Sequence, residues 1–319
     1  MKAIMMKAYG GPEVLCIKEV KKPTIKDKEV LVAVCALTVS ISDLQKRRGE
    51  WRKFTGKKEP KSVVLMGLEF SGVIAEKGRQ VKNYHVGDEV VGMMSVWGGA
   101  RTHAEFVAVP EAYIGLKPTN ISHAEAATLP IGMMTSISAL KELGRLTAGQ
   151  EVLINGASGG VGVYAVQIAK HFNANVTAVC GGHNIPFVES LKADRCIDYA
   201  TVDFSQEDRK YDIVFDVAST KKFTACKNIL KRKGAYITTN PFQDIQGLIA
   251  AKFSNKKCPY LFVSHGNKAR LDEVKKLVEK KKILPVMDRA FPMDQVVEAH
   301  RYSESKEKKG KAVLIVSMS

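Results

Sequence analysis

Seven residues near the middle of the chain, Gly156-Ala157-Ser158-Gly159-Gly160-Val161-Gly162, carry the sharpest chemical signal. They follow an apolar run, Glu151 to Asn155, and precede a segment of helical spacing, Val161 to Phe172. Glycines in this order suit a strand-to-helix turn that grips an anion. Gly156 permits the tight turn, Gly159 and Gly160 let the backbone approach a pyrophosphate, and Gly162 lets the helix pack close on the strand. Backbone N–H groups and the positive end of the helix then hold the negative charge. No Gly-Lys-Ser/Thr follows, which excludes a triphosphatase loop, and the next apolar run starts at Val176. The expected ligand is a dinucleotide.

The second run ends at Cys180 and gives way to Gly181-Gly182-His183-Asn184. A site selective for NAD places an acid there to accept from the ribose hydroxyls. An acid would repel a 2′-phosphate, whereas a histidine donates to it, so NADPH is the expected cofactor. His183 alternatively reads as an ordinary exposed loop residue.

These residues need a scaffold. The first 120 residues read as short strands broken by turns: Glu29 to Leu37, Ser71 to Glu76, Asp88 to Met93 and Glu105 to Pro110. From residue 123 helical stretches alternate with continuous apolar runs, which fits strands buried on both faces of a parallel sheet. The runs are 151–155, 176–180, 212–216, 235–238 and 260–263, and Lys221 to Leu230 reads as an intervening helix. The tail returns to short strands around a helix, Met293 to Tyr302, and ends in Lys311 to Val316. The expected domains are 1–122, 123–266 and 267–319, the first and last forming one discontinuous unit.

The chain has 319 residues, length for about two domains. No apolar run reaches the roughly 20 residues that span a bilayer, and the first seven residues do not make a secretory signal. A soluble cytoplasmic protein is expected. The six cysteines are scattered without a C-x-x-C pair, so neither a disulfide framework nor a zinc ribbon is indicated. The formal net charge of +16 favours anionic ligands, but the lysine clusters lack interleaved aromatics and match no nucleic-acid module. Nucleic acid is therefore not the expected partner, although an NADPH-binding module that works by contacting RNA or protein stays open as an alternative.

Taken in order, further short motifs resemble the medium-chain dehydrogenase/reductase superfamily, and within it the zinc-independent quinone oxidoreductase branch. They are Gly10-Gly11-Pro12-Glu13-Val14-Leu15, Ser42-Asp43 with Arg47, Gly49 and Trp51, and Gly67-Leu68-Glu69-Phe70-Ser71-Gly72. Gly87-Asp88-Glu89-Val90, Ala104-Glu105-Phe106, Leu129-Pro130 and Thr135-Ser136 follow. The glycine turn, Ile197-Asp198-Tyr199, Tyr211 to Asp216 and Gly310-Lys311 complete them. The resemblance implies an α/β fold, with a Rossmann doubly wound parallel sheet plus a discontinuous β-rich GroES-like catalytic domain. Zinc-dependent relatives have Cys and His where this chain has Ser40 and Leu68, and carry a four-cysteine lobe where residues 90–115 hold no cysteine. Zinc needs three or four such ligands, so no metal is expected.

The resemblance further implies that Ser158, Gly159, Gly160, Val161 and Gly181 contact the cofactor, with Val217, Phe262 and Lys311, and with Ser40 and Thr135 beside the nicotinamide. His183 and Tyr199 are assigned to the 2′-phosphate. Ser40, Asp43, Trp51 and Thr135 are the candidate catalytic residues, in a cleft between the domains. Ser40 or Thr135 can donate to a developing oxyanion. Asp43 equally suits a helix cap, and Trp51 a packed aromatic. Glu69 is expected to pair with a cation or a backbone donor, since a buried unpaired charge is costly. The expected substrate is a small quinone or activated enone, with 2-enoyl or alkenal double-bond reduction as the neighbouring alternative. A homodimer is compatible with all of this.

Overall fold

The computed structural model describes residues 1–50, 64–96 and 101–317. Trp51 lies outside the described residues. In chain order the first strands are β1 (Lys2–Met6), β2 (Leu15–Glu19), β3 (Glu29–Val39), β4 (Val64–Leu65) and β5 (Glu69–Lys77). Next come β6 (Glu89–Met93), β7 (Phe106–Pro110), β8 (Ile114–Leu116), β9 (Glu151–Asn155) and β10 (Asn175–Cys180). The last are β11 (Arg195–Asp198), β12 (Tyr211–Asp216), β13 (Leu230–Thr238), β14 (Met287–Pro292) and β15 (Lys311–Ile315).

The chain divides into two compact units. The first comprises residues 1–131, 264–281 and 285–319, and the second 132–263 and 282–284. The first division therefore falls nine residues beyond the expected 122/123 boundary. The helix His123–Ala127, capped by Ser122, belongs to the first unit because Ala127 packs against Ala36 and Val313. The division lies inside the next helix, Leu129–Ile137.

In the first unit the main sheet runs β14-β15-β3-β5-β6-β8, with β7 also paired to β3. β3 is its spine, and nearly all its apolar residues are buried. The register against β5 shifts between Val34 and Ala36. This bulge turns the strand so that Val34 and Leu37 share the main core while Ala36 faces the helix at 123–127. The other strand pairings are antiparallel, except that β14 and β15 run parallel.

The second unit is a five-stranded parallel sheet in the order β11-β10-β9-β12-β13. The order reverses beside β9, which is the switch point of a doubly wound sheet and its usual ligand site. Two expectations are corrected here. The residues 260–263 form no strand: Pro259 lacks a donor, Leu261 is buried, and Tyr260 and Phe262 are each more than two-fifths exposed. The fifth strand is instead β11, read only as a short motif in the sequence. The segment 221–230 forms not one helix but a short α-turn, Phe223–Cys226, then a 3-10 turn and the start of β13.

Candidate functional site

In the second unit the glycine turn joins β9 to the helix Gly162–His171. Gly156 has φ +84°, a left-handed conformation that other residues adopt only with strain. A Cβ on Gly162 would meet the Gly156 carbonyl oxygen at 2.1 Å, so that position holds glycine for packing. A Cβ on Gly159 would find only that same oxygen, at 3.4 Å, among the described atoms. The turn is therefore tight on its inner side and open at Gly159. That shape, with N–H groups at a helix start, fits a pyrophosphate. Ser136, on the helix 129–137, donates to Gly132 and Val161 carbonyls at 2.8 and 3.1 Å and braces the turn. The neighbouring Thr135 is 8% exposed.

The segment after β10 lies beside this turn. Asn184 is buried and donates to Ser158 Oγ at 3.2 Å, while its Oδ1 has no partner in the described residues. A Cβ placed on Gly181 would sit 2.8 Å from His183 Cε1 and 3.2 Å from Tyr199 Oη. His183 and Tyr199 thus come together over Gly181, from two different strand ends. The sequence reading did not anticipate the adjacent acid: Asp198 Oδ2 would be 2.5 Å from a Cβ on Gly182, and its Oδ1 accepts from the Ala200 N–H.

A polar network closes the other side of the turn. Asp216, at the end of β12, is fully buried. Its oxygens accept from Asn155 Nδ2 at 2.7 Å, the Lys221 N–H at 2.9 Å and Tyr236 Oη at 3.0 Å. Burial and Asp216 together push the Tyr236 phenol well above its usual range. Val217 donates its N–H to the Asn155 carbonyl at 3.0 Å, which sets the loop after β12 against Gly156. Phe262 packs against Tyr260 with the rings tilted 46° and their centroids 6.1 Å apart.

The first unit holds the remaining candidates. Ser40 caps the helix Ile41–Arg47 in a reciprocal capping box. Its hydroxyl donates to Asp43 Oδ2 at 2.6 Å, and Asp43 Oδ1 accepts from the Gly67 N–H at 3.2 Å. Asp43, 1% exposed, is thus a cap whose carboxylate is taken up by Ser40 and Gly67. Lys311, expected at the cofactor, opens β15 in the first unit. Its ammonium is buried, pairs with Glu69 and donates to the Thr128 carbonyl at 2.9 Å. Glu69 also accepts from Thr38 and from the Ile131 N–H. Burial lowers the lysine's pKa, against the pull of Glu69. His103 is buried too, with Nε2 3.0 Å from the Thr38 carbonyl, and burial holds its imidazole below the usual range.

Comparison with known proteins agrees with both units. Residues 26–119 match the model of the alcohol dehydrogenase GroES-like domain, and residues 191–314 the model described as zinc-binding dehydrogenase. The chain is 33% identical to a chloroplast envelope quinone oxidoreductase homolog of Arabidopsis thaliana, covering 98% of each. It is 31% identical to an NADPH-dependent alkenal/one oxidoreductase, chloroplastic, of the same organism, covering 98% of this chain and 79% of the relative. The structure of the quinone oxidoreductase from Coxiella burnetii superposes with a TM-score of 0.90 at 27% identity, covering 99% of each chain.

Proposed function

This chain belongs to the medium-chain dehydrogenase/reductase superfamily, in its quinone oxidoreductase branch, and from that membership we propose that it reduces a quinone or activated enone with NADPH and without zinc. It is an NAD(P)H-dependent oxidoreductase. The observation that carries the choice of NADPH is the meeting of His183 and Tyr199 over Gly181. Both side chains can donate to a phosphate there. Asp198 beside Gly182 is the feature that favours NADH instead, and the test below separates the two.

The donor set supports the zinc-free reading: Ser40 and Leu68 stand where zinc-dependent relatives have ligands, and Glu69 is committed to Lys311. Among the described residues no three His, Cys, Asp or Glu side chains gather into a metal-ligand group.

When bound, the nicotinamide supplies the hydride. The chain's own residues have a lighter task than in an alcohol oxidation, because a conjugated substrate delocalises the charge that hydride brings. The turn at 156–162, with Ser158, Val161, Val217 and Phe262, would hold the dinucleotide. We assign the donor to the developing oxyanion to Thr135, since the Ser40 hydroxyl proton is engaged by Asp43. The product proton comes from water. A cytoplasmic location and a homodimer complete the proposal.

Steady-state turnover of chelator-treated protein on a small quinone and on a small enal, each with NADPH and NADH, tests this reading. Quinone turnover with NADPH at full rate is expected. Activity lost to the chelator and restored by zinc sinks the metal-free mechanism. A higher kcat/KM on the enal moves the assignment to double-bond reduction, and preference for NADH assigns the corner to Asp198. No turnover on either, with salt-sensitive RNA binding, would replace the enzyme by a binding module.

A further inference from the structure

The second unit carries a pocket that the dinucleotide reading leaves unused. It lies at the amino ends of β9, β12 and β13, whereas the glycine turn lies at the carboxyl end of β9. The five residues of that strand separate the two by roughly 17 Å. The cavity measures about 290 Å³, and Arg145, Gln150, Asp212, Arg232, Lys233 and Lys257 line it with glycines. Its one acid is already compensated. Asp212 Oδ2 is 2.7 Å from the Lys231 ammonium and accepts from the Glu151 N–H at 2.8 Å. The four cations have no such carboxylate partner among the described residues.

Local structure adds to this concentration of charge. Arg145 and Lys233 sit at φ 51° and 65°, in left-handed conformations that glycine or asparagine adopts more easily. Cations thus stand where backbone preference asks for other residues. Next to the pocket, burial and then Lys210 and Lys227 hold the Lys256 ammonium below its usual range, so the positive field extends along this edge.

We propose that the pocket binds a small phosphorylated molecule bearing at least two negative charges, separately from the nicotinamide cofactor. The two guanidinium groups offer planar forks suited to phosphate, and the lysines offer mobile point charges. Among the described residues the lining contains no aromatic ring on which a nucleobase could stack, which argues for a small anion over a nucleic-acid strand.

Calorimetric titration of inorganic pyrophosphate into protein saturated with its nicotinamide cofactor tests the assignment. One saturable site per chain is expected, weakened at least tenfold in Arg232→Glu/Lys257→Glu, with cofactor affinity and thermal unfolding unchanged. Lys233→Asn, matched to the left-handed backbone, should weaken it about threefold and guards against misfolding of the double variant. Pyrophosphate binding that vanishes under saturating cofactor, or that is equal in wild type and variants, overturns the proposal. So does a short single-stranded RNA that binds more tightly than pyrophosphate and depends on the same residues.

Discussion

Two regions, one in each unit, use their polar residues in opposite ways. In the first, Ser40, Asp43, Thr38, Glu69 and Lys311 are buried and satisfy one another. In the second, the glycine turn is open at Gly159, and the buried Asn184 Oδ1 beside it, an acceptor, has no partner among the described residues. A buried polar set that is internally complete fixes a shape. An open set next to a helix start waits for a ligand. Residue type alone does not tell the two apart, since both regions combine hydroxyls, carboxylates and cations.

The largest expected effect breaks the closed set. Lys311→Met leaves the Glu69 carboxylate buried without a cation and should cost about 3–5 kcal/mol of stability. Glu69→Gln should cost a similar amount, while turnover of the remaining folded protein falls far less. Lys311→Met/Glu69→Leu should recover most of the loss, because no buried charge is then left without its partner. Urea unfolding measures all three, and additive losses in the double variant would show that the pair is not coupled.

The open set is probed by two glycines three residues apart. Gly159→Val adds atoms where no described wall stands within 3.4 Å. It should keep the unfolding curve and lose cofactor affinity at least a hundredfold, about 2.7 kcal/mol. Gly162→Ala should do the reverse, losing about 1–3 kcal/mol of stability from overpacking. Fluorescence titration of the cofactor beside thermal melts distinguishes them, and intact binding in the Gly159 variant would make the turn purely structural.

His183→Asp should shift the NADPH-to-NADH affinity ratio at least tenfold toward NADH, by setting a carboxylate against the 2′-phosphate. An unchanged ratio removes His183 from the recognition of that phosphate.

The most gradual effect concerns pH. His300 is fully buried with neither ring nitrogen partnered among the described residues, and burial pushes its pKa down to about 3 from an ordinary 6.5. The folded imidazole is neutral, so below 6.5 the unfolded chain binds the extra proton. Stability is therefore present above about 6.5 and lost as pH falls toward 3, by up to about 1.4 kcal/mol per unit. His300→Leu should flatten the slope of unfolding free energy between pH 6.5 and 5. An unaltered slope assigns the acid sensitivity elsewhere.

Much of this architecture was legible in the sequence because it depends on local signals. Strands such as β3 and β12 announce themselves by apolar runs, and the glycine turn by its spacing. The Ser40–Asp43 cap is a four-residue pattern that the sequence left undecided between cap and catalyst. What escaped depends on distant partners. Lys311 looks like a free cation until β15 pairs with β3 and brings it to Glu69, 242 residues away in sequence. β11 is only four residues long and owes its strand form to pairing with β10. The run at 260–263 has strand composition, but Pro259 removes a backbone donor at its start and the run joins no sheet.

The pairing of β15 with β3 also sets an order of assembly. Residues 132–263 are synthesised before residue 311, so the parallel sheet can close while the first unit still lacks its last strand. Until that strand arrives, the β3 edge that it covers stays open, with Glu69 buried beside it or exposed without a cation. An open edge of this kind is a template for pairing with another nascent chain. The interval between the two closures is thus when this protein is most exposed to aggregation, and slowing translation through residues 285–310 lengthens it.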